Sequence, residues 1–576
     1  MRTVRDVVIV VAVFAIAFMP MLADAQRPIT GYRPVTDQRL AEPEAANWLM
    51  TRGNYQGWSY SSLDQINTYN VKKLAPAWAF STGVDSGHQA PLLVNNGVMF
   101  VATPYNQVIA MEAKTGKLLW RYKREMPEGL SVLHNTSRGV ALYADKVYLA
   151  THDCFLVALD ASTGKVAWER KVEDWKTGYY MTLAPLIAKG KVMVGVSGGE
   201  FGVRGFVSAF DANSGAPAWK TYTIPAPGEK GSDTWTGDTW KKGGGSVWMT
   251  GTFDPTLNLT FWGTGNASPW FGDQRPGDNL FTSSTVAINP DTGKLTSHFQ
   301  YHWNDSWDWD EPDAPIIADF TKDGKTVKGL IKPARNGYLY RLERSADAIK
   351  FVSATPYVKQ NVFKSIDPTT GRPEYNEDRV PKTGKRADFC PSLWGGKDWP
   401  FAAYNPKNQM LYIPANDNHC GFMAGKVQKY EAGKWWTGVD IPDIGFAVDK
   451  SARHFGEVQG WDVNGNRRVW SHLFTDSMNW GPVLTTGGGL VFGGGTNDRY
   501  FRAFDANTGE VLWQFRTNSG ITAPPVSFAV DGVQYIGVAS GWGVDPAFQQ
   551  GLLSDLLGWQ KDVPQGGVIW VFAVQQ

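Results

Sequence analysis

The sequence predicts an all-β protein: an eight-bladed β-propeller with loop insertions on one face. Three observations predict it. One phrase recurs, as "AMEAKTGKLLW" at 110–120, "ALDASTGKVAW" at 158–168, "AFDANSGAPAW" at 209–219 and "AFDANTGEVLW" at 503–513. Consecutive copies lie about 50 residues apart, enough for four short antiparallel strands. Past the first 25 residues, nothing sustains the 3.6-residue apolar period of an amphipathic helix.

The chain of 576 residues opens with "MRTVRDVVIVVAVFAIAFMPMLADAQ". Arg2 and Arg5 precede an apolar run from Val7 to Met19, and "ADA" at 23–25 supplies small residues for cleavage. Residues 1–25 therefore read as a secretory signal peptide, too short in its apolar run for a membrane span. The mature chain, residues 26–576, is expected to be one propeller domain, exported to the periplasm and free of membrane spans.

Each repeat is a strand, a tight turn and a strand. Asp-Ala-x-Thr-Gly supplies the turn chemistry, and Gly tolerates positive φ. The Trp four residues past the Gly takes a fixed place on the second strand. Degenerate copies occur at 287–297 ("AINPDTGKLTS") and 460–470 ("GWDVNGNRRVW"). "LAPAWAFSTG" near 74 and "NGYLYRLERSADAIKFV" near 336 look like two more, which makes eight. Such units cannot bury their faces alone and must stack on one another. The stretches 220–285 and 355–460 read as insertions on one face.

Lys and Arg total 56 and Asp and Glu 55, a formal net charge of +1. The leader holds two Arg and two Asp, so the mature balance is the same. That charge gives no reason to expect nucleic acid as a partner. Of the cysteines Cys154, Cys390 and Cys420, two can pair in an oxidising compartment. "CFLVALD" reads as a buried strand, so Cys154 is left free and Cys390–Cys420 is favoured. No Cys-x-x-Cys-His occurs, so no covalent haem is expected on this chain.

"NDSWDWDEPD" at 304–313 concentrates five carboxylates: Asp305, Asp308, Asp310, Glu311 and Asp313. An isolated acidic run is ordinarily a solvated loop, but solvated loops rarely need indoles such as Trp307 and Trp309. In an extended segment Asp308 and Asp310 point the same way and can chelate a hard cation. "VSGGEFGVRGF" at 196–206 carries Glu200 among glycines that let backbone approach a flat ligand. "GGGSVWMTG" at 243–251 adds Trp248 and "FWGTGNASPW" at 261–270 adds Asn266. Carboxylate and amide oxygens suit a hard cation, so Glu200, Asn266, Asp308 and Asp310 form a sensible metal set. The eight His show no zinc spacing, and no dinucleotide-binding glycine motif opens a helix.

Taken in order, "TPYNQVIAMEAKTGK", "SRGVALY", "SGGEFGVRGF", "GDTWKKGGGSVW", "GTGNASPW", "RPGDN" and "SWDWD" closely resemble the pyrroloquinoline quinone (PQQ)-dependent alcohol dehydrogenases of the methanol/ethanol type. The resemblance runs over essentially the whole mature chain and implies an eight-bladed propeller that oxidises a small alcohol with PQQ. It implies that Glu200 and Asn266 ligate the metal and that Asp308 is the catalytic base. Asp310 matches the extra carboxylate of lanthanide-dependent members, so a lanthanide is expected, with Ca2+ as the alternative. A trivalent ion gains more from a further negative ligand because the Coulomb energy scales with charge. Trp248 matches the indole stacked on the quinone. Arg138, Thr182, Ser197, Gly198, Gly199, Ser246, Arg335, Trp480 and Trp542 match cofactor positions, as do Gln89 and Asp398, where many members have Glu and Asn. Many members carry two adjacent cysteines before the segment holding Arg138; here Val132 and Leu133 stand in their place. Cys390 and Cys420 match a structural disulfide. A soluble cytochrome c is the implied electron acceptor, and the resemblance leaves a homodimer open. Substrate choice is expected to depend on loops such as 355–380 and 425–455.

Overall fold

The computed structural model describes residues 28–448, 451–559 and 562–575, so the leader expected at 1–25 lies outside the described residues. Each clear repeat folds into the hairpin its turn chemistry predicts. Phe155–Asp160 pairs antiparallel with Val166–Lys171, and Tyr500–Asp505 with Val511–Arg516. At the first of these turns Asp160 Oδ1 accepts the N–H groups of Ser162 and Thr163, at 3.1 and 2.8 Å. Gly164 closes the turn at φ +70° and donates its N–H to Asp160 O at 2.8 Å. The side chain thus substitutes for backbone partners that a bend of this tightness cannot supply.

Most four-stranded sheets run in simple chain order, as in Leu93–Asn95, Val98–Thr103, Gln107–Glu112 and Leu118–Lys123. The second and third strands of a sheet are almost wholly buried, whereas a fourth strand such as Val166–Lys171 is largely exposed. The inner strands are covered on both faces by neighbouring sheets, so apolar residues need not alternate there.

The repeated Trp holds one sheet to the next. Trp78, Trp120, Trp219 and Trp470 donate their indole N–H to Ala113, Ala161, Pro290 and Ala506 carbonyls at 2.9–3.1 Å. Each ring also lies against the turn glycine of the following repeat. A Cβ on Gly116, Gly164, Gly293 or Gly509 would come within 2.4–2.7 Å of it. The Gly and the Trp of the repeat are therefore one device seen on two successive sheets. In one sheet Phe351 holds the Trp position on the outer strand, against Gly371, and Arg341 of the adjacent inner strand makes the link to the next sheet, donating to Val463 O at 3.0 Å. Trp513 donates to Leu74 O at 2.8 Å and joins the last repeat to an early strand. That strand, Leu74–Ser81, pairs antiparallel with Val568–Val574, so the two ends of the chain share one sheet and close the ring of sheets.

The structure departs from the sequence expectations in three places. "LAPAWAFSTG" is not a repeat of its own but the outer strand of this closing sheet. The stretches 220–285 and 355–460 are only partly insertions. Thr252–Asp254 with Leu259–Gly263, and Ala403–Asn405 with Met410–Asn416, are inner strands of main sheets. They lack the Asp-x-x-Thr-Gly turn and so escape a search for it. The third is an α-helix over Val544–Leu557, whose apolar residues do not gather on one stripe. The Cys390–Cys420 disulfide forms as expected, and Cys154 is free and buried. Among the described residues no helix is long and apolar enough to cross a membrane.

Candidate active site

The five carboxylates of 304–313 are all buried, yet they meet different fates. Asp305 accepts three consecutive backbone N–H groups, from Trp307, Asp308 and Trp309, and lies 3.3 Å from His302 Nε2. Glu311 accepts the N–H of Arg335 at 2.9 Å and pairs with Lys332 at 3.4 Å. Asp313 pairs with the buried Lys397, and Lys332 donates to its carbonyl at 2.7 Å. Asp308 and Asp310 have no Lys, and both turn into a cavity of about 420 Å³. Asp308 does not belong to a regular extended strand: its φ is +62°. A non-glycine residue rarely adopts this left-handed conformation, and it does so here over a stacked pair of buried indoles, Trp307 and Trp309, 5.0 Å apart.

Glu200, from a 3-10 turn over Gly199–Phe201, lines the same cavity. Asn266 stands behind the wall and donates Nδ2 to Asp308 Oδ1 at 2.7 Å and its backbone N–H to Asp310 Oδ1 at 2.5 Å. Its own Oδ1 is buried without a partner. Asp310 also accepts the Trp248 indole N–H at 3.0 Å and lies 3.6 Å from Arg335. Burial drives all three carboxyls above the usual range, and each feels another's charge or Asp305. Glu200 reaches about 7, through burial and then Asp310; Asp310 rises, and Asp308 rises well above its ordinary value despite Arg335. Like charges gathered away from water favour protonation or a cation.

The remaining predicted residues separate into those on the cavity wall and those behind it. Arg138 donates to Thr182 Oγ1 at 2.5 Å, and Thr182 Oγ1 lies 3.3 Å from Ser197 Oγ. The Arg138 guanidinium sits 4.6 Å from the Trp248 ring centre, and burial lowers its pKa to about 10. Arg335 bridges Asp310 and Asp398, the latter at 3.3 Å, and Asp398 is pushed by burial to about 6. Ser246 and Gly198 complete this wall. A Cβ on Gly198 would meet Gly178 O at 2.3 Å, and one on Gly199 would reach Ser246 Oγ at 3.4 Å and Asn266 Oδ1 at 3.5 Å. Gln89, Trp480 and Trp542 are buried away from the cavity wall. Trp480 donates to Gln549 of the helix at 2.6 Å, and the two indoles pack in one apolar cluster with Trp248, Trp394 and Trp399.

Sequence reasoning missed several wall residues. His134 and Asp545 pair at 3.0 Å and join the loop carrying Leu133 to the start of the helix. Val132 and Leu133 pack on Tyr180, Phe201 and Val203, and Leu133 reaches the cavity. Of the two loops expected to shape the mouth, 425–455 supplies Trp435, Ile441, Ile444 and Phe446, whereas 355–380 contributes nothing to the wall. Gly265 was also missed: a Cβ there would lie 2.6 Å from Asp310 Oδ1. Elsewhere Asp417, His454 and Glu457 come together, but Glu457 already holds His454 at 2.7 Å and Arg468 at 3.5 Å.

Residues 48–348 and 452–536 match the family described as "PQQ: Glucose/ethanol/alcohol dehydrogenase, beta-propeller domain". The chain is 36% identical to the quinoprotein alcohol dehydrogenase PedH of Pseudomonas putida, over 93% of this chain and 92% of that protein. It is likewise 36% identical to a quinoprotein ethanol dehydrogenase of Pseudomonas aeruginosa, over 89% and 88%. Among solved structures, a europium-containing methanol dehydrogenase superposes with a TM-score of 0.87 at 34% identity, covering 93% of this chain and 99% of that one.

Proposed function

The chain belongs to the PQQ-dependent alcohol dehydrogenase family, and from that premise we propose that it oxidises a primary alcohol to the aldehyde in the cavity above Asp308 and Asp310. One observation carries the proposal. Three buried carboxylates line one cavity, with the orphaned Asn266 Oδ1 behind them and Arg335 beside Asp310. An oxygen-only set of this charge fits a hard cation, and the glycine floor beside Trp248 and Arg138 fits a flat anionic ring. Glu200, Asn266, Asp308 and Asp310 would hold the ion, with Trp248, Arg138, Thr182, Ser197, Ser246 and Arg335 around PQQ. Bound there, the quinone supplies the two-electron acceptor and the ion the polarising charge.

The residues of the chain then divide the work. Asp308 accepts the proton of the alcohol hydroxyl, a role suited to a carboxylate whose second oxygen is held by Asn266 Nδ2. Arg335 and Arg138 offset negative charge at either end of the polar wall. Asp310 adds a further anionic oxygen, which favours a trivalent ion, and the europium in the name of the similar methanol dehydrogenase points the same way. We therefore favour a lanthanide over Ca2+. Further parts of this reading are that the eight sheets of four or five strands are eight blades, that the leader directs the chain to the periplasm, and that a soluble cytochrome c takes the electrons. The test is Asp310→Ala, reconstituted with PQQ and either lanthanum or calcium. Lanthanum-supported turnover is expected to collapse; unchanged lanthanum activity would remove the metal assignment.

A further inference from the structure

The indoles of the acid loop have no part in the chemistry so far, although Trp307 and Trp309 alternate with the two acids that face the cavity. Their N–H groups, with that of Trp303, all reach one segment. Trp303 donates to Pro373 O at 2.9 Å, Trp307 to Arg379 O at 2.8 Å and Trp309 to Ser392 O at 2.9 Å. The three acceptors lie between the main-sheet strands Ile349–Pro356 and Ala403–Asn405, and residues 373–392 stand apart from the cavity wall. Tyr375 of this segment completes a stack, its ring centre 4.7 Å from Trp303 and 4.9 Å from Trp307. Ser392 is fixed in turn. It follows Cys390 of the disulfide by two residues, and its Oγ lies 2.8 Å from Nδ1 of His419, the neighbour of Cys420.

What these bonds resist is local. Asp308 holds φ at +62°, a conformation that a non-glycine residue keeps only where its surroundings impose it. A relaxed φ would turn the Asp308 side chain relative to the peptide before it and carry the carboxylate off the cavity. Two restraints oppose this. Within the loop, Asp305 accepts the N–H groups of Trp307, Asp308 and Trp309 at 3.4, 3.2 and 3.3 Å. From outside the loop, the indole bonds anchor the residues just before and just after Asp308. Relaxation would leave several buried N–H groups unpaired, which costs more than the bonds themselves gain. Building on the reading of Asp308 as base and ligand, we propose that Asp305 and Trp309 are positioning residues. Asp305 holds the Asp308 carboxylate in the cavity through the backbone, and Trp309 does so through Ser392. The segment 373–392 is then a backing for the site, with no contact to what the site binds.

The experiment uses holoenzyme reconstituted with PQQ and europium(III), and two variants that keep the shape of the loop. Asp305→Asn is isosteric but cannot accept on both of its sides. Trp309→Phe keeps a ring and loses the bond to Ser392. Luminescence lifetimes in H2O and D2O count the waters on the ion. A carboxylate that swings away leaves its place to water, so each variant is expected to add about one. In the same preparations kcat should fall about 10- to 100-fold, the usual loss when the support of a metal ligand is removed, with KM for the alcohol unchanged. Side chains that only fill space would lower the thermal midpoint and leave the water count alone. An unchanged count in both variants therefore overturns the inference, and it leaves the proposed role of Asp308 intact. If the wild type takes up no europium, the ion-binding reading fails instead. Amide hydrogen exchange on the cofactor-free chain then decides: Asp305→Asn should speed exchange at Trp307, Asp308 and Trp309 at least tenfold against the rest of the chain, and level exchange would overturn the inference.

Discussion

Asp305, Glu311 and Asp313 on one side, and Asp308 and Asp310 on the other, come from the same ten residues and are equally buried. The first three are neutralised within the protein, by backbone N–H groups, Lys332 and Lys397. The other two face a cavity beside Glu200, with Arg335 as their nearest cation. A buried carboxylate that has its own cation holds structure together. One whose charge is left to be balanced from outside is available for chemistry.

This contrast can be broken by exchanging the roles. The largest effect expected is from Asp308→Asn, which removes the proposed base. It should lower kcat by about 10^2- to 10^4-fold, while the thermal midpoint of the cofactor-free protein stays level or rises, because a repelled charge has gone. A matching fall in stability would place Asp308 with the structural acids. Lys397→Met should do the reverse. It strands Asp313 without its cation, at a cost of about 3–5 kcal/mol, seen as a thermal midpoint several degrees lower. Lys397→Met with Asp313→Asn should recover most of that loss, because the pair then leaves together.

Gly265→Ala is a finer probe. The added methyl would sit 2.6 Å from Asp310 Oδ1 and 2.9 Å from Ser246 Oγ. It should cost about 1–3 kcal/mol of stability, and calorimetric titration should find lanthanum bound more weakly. The smallest effect concerns an intermediate case, Asp545, a cavity acid that does have a cation. Burial opposes charging of both partners, but Asp545 raises the pKa of His134, and His134 lowers that of Asp545. The His134 contribution is complete below its unfolded value near 6.5 and is lost as pH rises through its higher folded value. The Asp545 contribution is present above its ordinary carboxylate range and is lost as pH falls through its lowered value. Asp545→Asn should therefore reduce stability by about 1 kcal/mol at pH 5–6 and by progressively less toward pH 8, read from thermal midpoints across that range.

Much of this was legible before any coordinates. The repeat fixed the hairpins, because Asp, Thr and Gly at set offsets dictate a turn through bonds made inside five residues. The Cys390–Cys420 pairing and the acid strip were also visible, the first helped by family resemblance. The reason the repeat needs its Gly and Trp together was not visible. Gly164 is required by Trp120, which stands 44 positions earlier, on the neighbouring sheet. The helix over Val544–Leu557 escaped for a different reason. Val544, Phe548 and Leu552 line the cavity mouth while Leu553 and Leu557 pack in the indole cluster, and the apolar residues form no single stripe.

What the sequence determined by itself is chemistry confined to short spans: turn geometry, strand alternation, and the kinds of oxygen ligand available. Only the tertiary structure decided which of five neighbouring carboxylates would face the cavity, with Arg335 as their shared cation. That choice depends on where Lys332 arrives from the strand Gly329–Pro333 and Lys397 from the loop before Ala403–Asn405. Electrostatic energy in a buried site follows distance through space, which separation along the chain does not record.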